Sequence, residues 1–294
     1  MTGSLVFGQF LSGISRGMVL FLVSSGLTLI FSVMNILNFA HASFWLLGAY
    51  FTWTFCKIFA LPVFGLWISI PLAGLTMAII GWFIEVVLIR RVYERTLAEQ
   101  LLLTYALVLM TGDVIKLTWG AADLIVAKPD AVEGAVNLFG TPFPTYYIFV
   151  VSVGGFVALA LWWLLYRTKF GRIVRASVFS REMVGALGIP IHRIYTGVFA
   201  LSLFIAGTAG GVNAPISSVA LGMDMEVIIE CFCVMVIGGF GSLLGSLVGS
   251  LIVGLVYAFA IMVVPKMALI LIFVVTAIVL IVKPWGLFGT AMRV

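Results

Sequence analysis

Runs of about 20 mostly apolar residues, the length that crosses a bilayer as a helix, recur nine times along this chain of 294 residues. Cut at the charged clusters and the Gly/Pro breaks, they fall at roughly 10–34, 36–58, 63–89, 98–118, 145–166, 194–214, 226–243, 246–264 and 268–283. Composition closes off a soluble fold: 63% of residues are hydrophobic and 9% charged, against about 45–50% and about 25% in typical soluble domains. The expectation is an all-α polytopic membrane protein, one transmembrane domain over residues 1–294. It has about nine transmembrane helices, eight to ten being possible, with some broken. Arg16 falls inside the first run, so a short interfacial helix over Leu5–Ser15 followed by a span from Gly17 is an alternative.

Basic residues set the orientation, because Lys and Arg accumulate on the cytoplasmic side. Arg90, Arg91, Arg95, Arg167, Lys169, Arg172, Arg175, Arg181, Arg193, Lys283 and Arg293 fall on one side of the nine-span count. Lys57, Lys116, Lys128 and Lys266 fall on the other. The first side reads as cytoplasmic, with the C-terminus inside and, for nine spans, the N-terminus outside. The first apolar stretch has no basic leader and no A-x-A cleavage site, so no cleavable signal peptide is expected. The net charge of +5 sits on no polar basic face of the kind that binds nucleic acid.

Enzyme chemistry fails motif by motif. Gly13-Ile14-Ser15-Arg16-Gly17 matches G-x-S-x-G in letters, but a nucleophile elbow needs a strand-turn-helix context, and this stretch is helical. His41 and His192 form no H-E-x-x-H, and no phosphate-binding loop precedes any lysine. Cys56, Cys231 and Cys233 match neither zinc spacing nor a disulfide framework. No catalytic residue, metal site or cofactor is assigned to this chain. Gly241, Gly245 and Gly249 form a G-x-x-x-G ladder, which lets backbones approach closely; packing within the chain is the first reading and a subunit interface the second.

Polar groups inside apolar runs are then the functional candidates, since burying them is costly unless they have a partner or a wet cavity. Asp113 and Lys116, three apart, can pair on one helix face. Glu85 lies near enough to Arg90 and Arg91 to be solvated at the interface. Asn35, Asn38 and His41 cluster at the junction of spans one and two and read as a helix break, whose polar groups either line a passage or brace it. Asp224, Glu226 and Glu230 gather at the outer end of span seven as an acidic mouth. That mouth either docks a basic partner, guides a cationic or zwitterionic solute, or is interfacial and solvated.

The order of these features resembles a known family. Gly26-Leu27-Thr28-Leu29-Ile30-Phe31-Ser32-Val33-Met34-Asn35-Ile36-Leu37-Asn38-Phe39-Ala40-His41-Ala42, then Leu47-Gly48-Ala49-Tyr50, is similar to the N-terminal signature of the branched-chain amino-acid ABC importer permeases (LivH-like subunit). Gly171-Arg172-Ile173-Val174-Arg175-Ala176, with Arg181-Glu182-Met183 and Ala186-Leu187-Gly188-Ile189, resembles that family's cytoplasmic coupling loop. Gly238-Gly239-Phe240-Gly241-Ser242 and Lys283-Pro284-Trp285-Gly286-Leu287-Phe288-Gly289 resemble its C-terminal marks. Ala42 stands where the family commonly has glycine, Val178-Phe179-Ser180 replaces a more acidic stretch, and Glu226 and Glu230 fall on an otherwise apolar helix.

The resemblance implies a non-catalytic permease subunit in a bacterial inner membrane. Its partners would be a second related permease, two cytoplasmic ATPase subunits that bind ATP and Mg, and a periplasmic solute-binding protein. Gly171, Arg172, Arg175, Arg181, Glu182, Ala186 and Gly188, in a loop over about 167–193, would couple it to an ATPase. The solute would be a branched-chain amino acid, urea, a short amide or an aromatic acid. An ion-gradient-driven secondary transporter is the alternative; it would be expected to carry more ionisable groups at mid-membrane.

Overall fold

The computed structural model describes residues 3–59, 65–138 and 140–289. Eleven helices and one short hairpin follow in the order α1 (Gly3–Met34), α2 (His41–Phe59), α3 (Gly65–Val87), α4 (Leu97–Trp119), β1 (Ala135–Leu138), β2 (Thr141–Pro144), α5 (Thr145–Arg167), α6 (Lys169–Phe179), α7 (Arg181–Ala186), α8 (Ile191–Asn213), α9 (Met223–Gly238), α10 (Leu243–Val263) and α11 (Ala268–Val282). Each of the nine expected spans contains a helix. Arg293, counted among the cytoplasmic charges, and the extreme C-terminus lie outside the described residues.

Seven of the described helices are long and apolar enough to cross a membrane: α1, α3, α4, α5, α8, α10 and α11 with its leading turn. Expected spans two and seven correspond to α2 and α9, which fall short by that measure. At 1.5 Å per residue the 16 residues of α9 cover about 24 Å, less than a hydrocarbon core of about 30 Å. α2 begins at His41, ends near Lys57 and is buried along most of its first three turns. It packs against α8, α3 and α9, so its surroundings are protein and its sequence need not match lipid.

Helix starts are written in local chemistry. Thr96 caps α4 in a reciprocal capping box with Glu99, its own N–H donating to Glu99 Oε2 at 2.9 Å. Thr168, Ser180 and Ser242 cap α6, α7 and α10 through their hydroxyl oxygens. α1 runs unbroken through Arg16, which removes the alternative of an interfacial segment followed by a separate span.

α1 and α8 form the centre. In the most apolar stretch of α1, 83% of residues are buried inside the molecule, against 17% for α11. α1 packs against α10, α8 and α5, and α8 fills the angle between α2 and α3. Glycines make these contacts close. A Cβ on Gly48 would lie 2.5 Å from Gly207 Cα, and one on Gly249 would lie 2.6 Å from the Val234 carbonyl oxygen. The ladder is used inside the chain: Gly245 and Gly249 press on α9, while Gly241 lies beside Ser32 of α1. Gly13 and Gly17 of the false nucleophile elbow are helical and receive Gly254 of α10.

The segment between α4 and α5 contains the hairpin β1–β2, paired from Ala135↔Pro144 to Leu138↔Thr141, and a bridge from Leu124 to Val219.

Candidate functional site

Three polar constellations interrupt the apolar bundle. The first is the break between α1 and α2. Asn35 takes φ 56°, a left-handed conformation that asparagine tolerates better than most non-glycine residues, and its side chain is exposed. Asn38 is fully buried, and its Oδ1 accepts from Ala40 N at 3.2 Å. His41, also fully buried, donates from Nε2 to the Val23 carbonyl at 3.0 Å, with its ring against Gly26. Ser202 of α8 bonds the Gly26 carbonyl at 2.9 Å. His41 therefore ties α2 to α1 at the point where α8 joins them, which is bracing geometry.

Losing a buried hydrogen bond costs about 1–3 kcal/mol when a partner is stranded. His41→Leu is expected to lower the thermal unfolding midpoint by several degrees and His41→Gln by less than half as much. Equal losses in the two variants would rule out the bond as the cause.

The second constellation lies at the end of the bundle carrying α6 and α7. α1 ends there, and neighbouring elements satisfy carbonyls at its end and in the link after it: Arg181 donates to Met34 O at 3.0 Å and Thr104 to Leu37 O at 3.4 Å. Arg181 also lies over the Tyr195 ring, 5.5 Å away. Arg181, expected to face a partner, is exposed and also holds α7 to the broken helix. Arg175 lies over Tyr166 at 4.6 Å, while Arg172, Glu182, Ala186 and Gly188 are exposed. Gly171 cannot carry a side chain, because a Cβ would strike the Leu164 and Leu165 carbonyls. Exposed apolar side chains were missed in the sequence: Phe179, the last residue of α6, is 92% exposed, and Met183 of α7 and Leu187 just after it are exposed as well. Ser180 is extended between α6 and α7, so their four-residue spacing does not make them one helical face.

Glu85 belongs to this end and corrects an expectation. It is not solvated at all. Its carboxylate accepts from Arg90 Nη2 at 3.2 Å, from Thr196 Oγ1 at 2.6 Å and from the Tyr93 hydroxyl, while the Tyr93 ring meets Tyr195 edge-on at 5.1 Å. Burial, then the bond to Glu85, holds the Tyr93 hydroxyl well above its ordinary pKa, and the same carboxylate raises Arg90. Asp113 and Lys116 form no such cluster: both are exposed on α4, and among the described residues no ion pair joins them.

The third constellation faces the other end. A cavity of about 370 Å³ opens between α1, α9 and α10, with Asn213, Ser217 and Tyr147 at its edge. Arg16, the charge that made the first span doubtful, meets Glu230 in its wall at 2.6 Å and lies 3.4 Å over the Tyr257 ring. The expected acidic mouth is therefore divided. Glu226 is exposed and lines the cavity, Glu230 is buried and neutralised by Arg16, and Asp224 turns away to accept from Ser43. Three carboxylates placed together would repel; two of them are instead satisfied separately. Opposite charges in two different apolar spans were the available signal, because each tolerates burial best when paired. Arg16 and Met34 are 18 residues apart on α1, so the cavity and the α7 contact lie about 27 Å apart along it.

Comparison with known proteins gives the family. The family described as "Branched-chain amino acid transport system / permease component" matches residues 9–280. The chain is 27% identical to the probable branched-chain amino acid transport permease protein LivH of Methanocaldococcus jannaschii, over 92% of this chain and 89% of that one. It is 27% identical to the high-affinity branched-chain amino acid transport system permease protein LivH of Salmonella typhimurium, over 96% and 94%. Identity to the corresponding BraD protein of Pseudomonas aeruginosa is 25%, over 96% and 95%. No solved structure matches. With the match running from the first helix to the last, this multi-pass membrane protein belongs to the family of branched-chain amino acid transport system permease components.

Proposed function

We propose that the chain is the transmembrane permease subunit of an ABC importer in a bacterial inner membrane, carrying branched-chain amino acids or related small polar solutes. It forms one domain over its whole length. It works with a second related permease, two ATPase subunits that bind ATP and Mg, and a periplasmic solute-binding protein, and it binds no cofactor and catalyses nothing itself. The end bearing α6, α7 and most of the Lys and Arg residues is cytoplasmic, as is the C-terminus; the cavity opens outward.

The observation that carries this reading is a short helix pair that is too polar for lipid and still exposes large apolar side chains. α6 and α7 expose Phe179, Met183 and Leu187 among Arg172, Glu182 and Gly188. Apolar side chains grouped in this way outside the membrane mark a protein contact. Through Arg181 the pair grips the broken end of α1, the helix that also lines the cavity. A push on α7 thus has a physical route to the solute path, with Asn35, Asn38 and His41 bracing the break.

Uptake of radiolabelled L-leucine by cells that depend on this chain tests the reading. Initial uptake should vanish on deletion of the chain, persist when an ionophore collapses the proton gradient while ATP is held, and stop when ATP is depleted. Uptake lost with the gradient at constant ATP would favour the secondary transporter instead.

A further inference from the structure

The bridge between Arg16 and Glu230 is incomplete. Glu230 uses only Oε1; its Oε2, Arg16 Nε and Trp45 Nε1 are buried and have no hydrogen-bond partner among the described residues. All three residues contribute to the wall of the cavity, but the unmet atoms lie just behind its surface, and Glu230 and Trp45 are each 2% exposed, so bulk solvent does not supply the missing bonds. A bridge with a purely architectural role would gain from the two parallel bonds that an Arg–carboxylate pair can make. Leaving a buried acceptor on a carboxylate unmade carries a real cost. Its position beside a cavity gives that cost a use.

The unmet groups define what fits. Once the bridge opens toward the cavity, Arg16 Nε–H and Trp45 Nε1–H are donors suited to a carboxylate. Glu230 Oε2 is an anionic acceptor that an ammonium group satisfies, with Glu226 as a second carboxylate lining the same space. Much of the remaining wall is aliphatic, with Val19, Leu20, Val23, Ile216, Val227 and Ile261. A volume of about 370 Å³ lies at the small end of ligand pockets. It suits one small solute.

We propose that this cavity is a membrane-embedded binding site for a zwitterionic α-amino acid with an aliphatic side chain, Arg16 and Trp45 holding its carboxylate and Glu230 its ammonium. In the state seen here Arg16 and Glu230 neutralise one another, so the charge left in the cavity is that of Glu226. An entering zwitterion replaces one strong contact with one on each side and joins α1 to α9 through itself. A solute with only one of the two charges leaves the opposite residue stripped of its partner. Selection at this site thus acts within the membrane, after any selection made by a solute-binding protein. The inference rests on the transport reading above and adds the residues that recognise the solute.

The test is equilibrium binding of radiolabelled L-leucine to the transporter assembled in nanodiscs without a solute-binding protein. Binding should be saturable, and neither 4-methylpentanoate, which lacks the ammonium, nor isoamylamine, which lacks the carboxylate, should compete at tenfold excess. Glu230→Gln and Arg16→Gln should each weaken binding at least tenfold. Trp45→Phe keeps an aromatic ring but removes the donor with the pyrrole half of the indole, and should weaken it several-fold in a protein that remains assembled. The double variant Arg16→Glu/Glu230→Arg rebuilds the ion pair with reversed polarity and should not restore L-leucine binding.

Binding within twofold of the parent in the two glutamine variants, or full recovery in the reversed pair, would make the bridge architectural and overturn the proposal. Uptake of L-leucine separates this failure from a failure of function. A parent that imports L-leucine while the glutamine variants do so with unchanged KM refutes the site alone. A parent that imports none refutes the transport reading as well.

Discussion

Phe179→Asp is expected to cut solute uptake roughly 30-fold or more while leaving the chain itself as stable as the parent. The side chain is 92% exposed, so its removal opens no cavity and strands no hydrogen bond; surface substitutions of this kind usually stay within about 0.5 kcal/mol. Its worth lies in the contact that covers it. A large apolar side chain anchored in a partner's pocket commonly contributes 2 kcal/mol or more, equivalent to roughly 30-fold in affinity. Co-purification of ATPase subunits with the variant, beside its unfolding midpoint in detergent, measures the two halves of the expectation. Retained uptake and retained ATPase together would show that the exposed face is not where the subunits meet.

Gly188→Trp belongs to the same experiment. Gly188 has φ 77°, with nothing within 4 Å of an added Cβ, so bulk fits the isolated chain at the cost of local strain alone, about 1–2 kcal/mol. Gly188→Ala carries the same strain without the bulk. A tryptophan variant that loses uptake tenfold, beside an alanine variant that keeps most of it, assigns the loss to crowding against a partner.

The second large effect falls on stability. Arg90→Ala leaves the Glu85 carboxylate, itself wholly buried, with hydroxyl donors only, from Tyr93 and Thr196. Breaking a buried pair from one side costs about 3–5 kcal/mol, and since the Arg90 side chain is 36% exposed the lower figure applies. At about 2–4 °C per kcal/mol, the unfolding midpoint should fall by roughly 6–12 °C. Glu85→Gln keeps an acceptor oxygen for one hydroxyl and sets an NH2 donor against the other, and should lose about half as much. The double variant Glu85→Leu/Arg90→Leu should recover much of the loss, because it removes both the charge and the need to solvate it. A fall below 2 °C in Arg90→Ala would mean that water reaches the carboxylate after all.

These cases show where the sequence was legible. The nine helical runs were found to within a few residues at most ends, because hydrocarbon length and hydropathy act locally on every segment. The break at Asn35 was readable for a similar reason: a cluster of polar side chains between two apolar runs has few helical uses. The loop over 167–193 was recognisable by its charge, but Phe179 and Met183 were passed over, since exposure is not written in residue type. Glu85 was misread as solvated because its distance in sequence from Arg90 says nothing about Thr196, more than 100 residues later, closing over it.

What the sequence determined by itself was the class of the molecule: an all-helical membrane protein with its basic end set by Lys and Arg and its helix starts set by Thr96, Thr168, Ser180 and Ser242. Each of these follows from interactions within one segment or between a segment and the bilayer. What only the tertiary structure decided was the pairing of polar groups from distant segments. Asp224 was separated from its acidic neighbours by Ser43, Glu230 was given to Arg16 across 214 positions, and Arg181 was turned onto the end of α1. A buried charge requires some partner, which physics fixes in advance; which partner it receives depends on how the helices pack, and that is a property of the whole bundle.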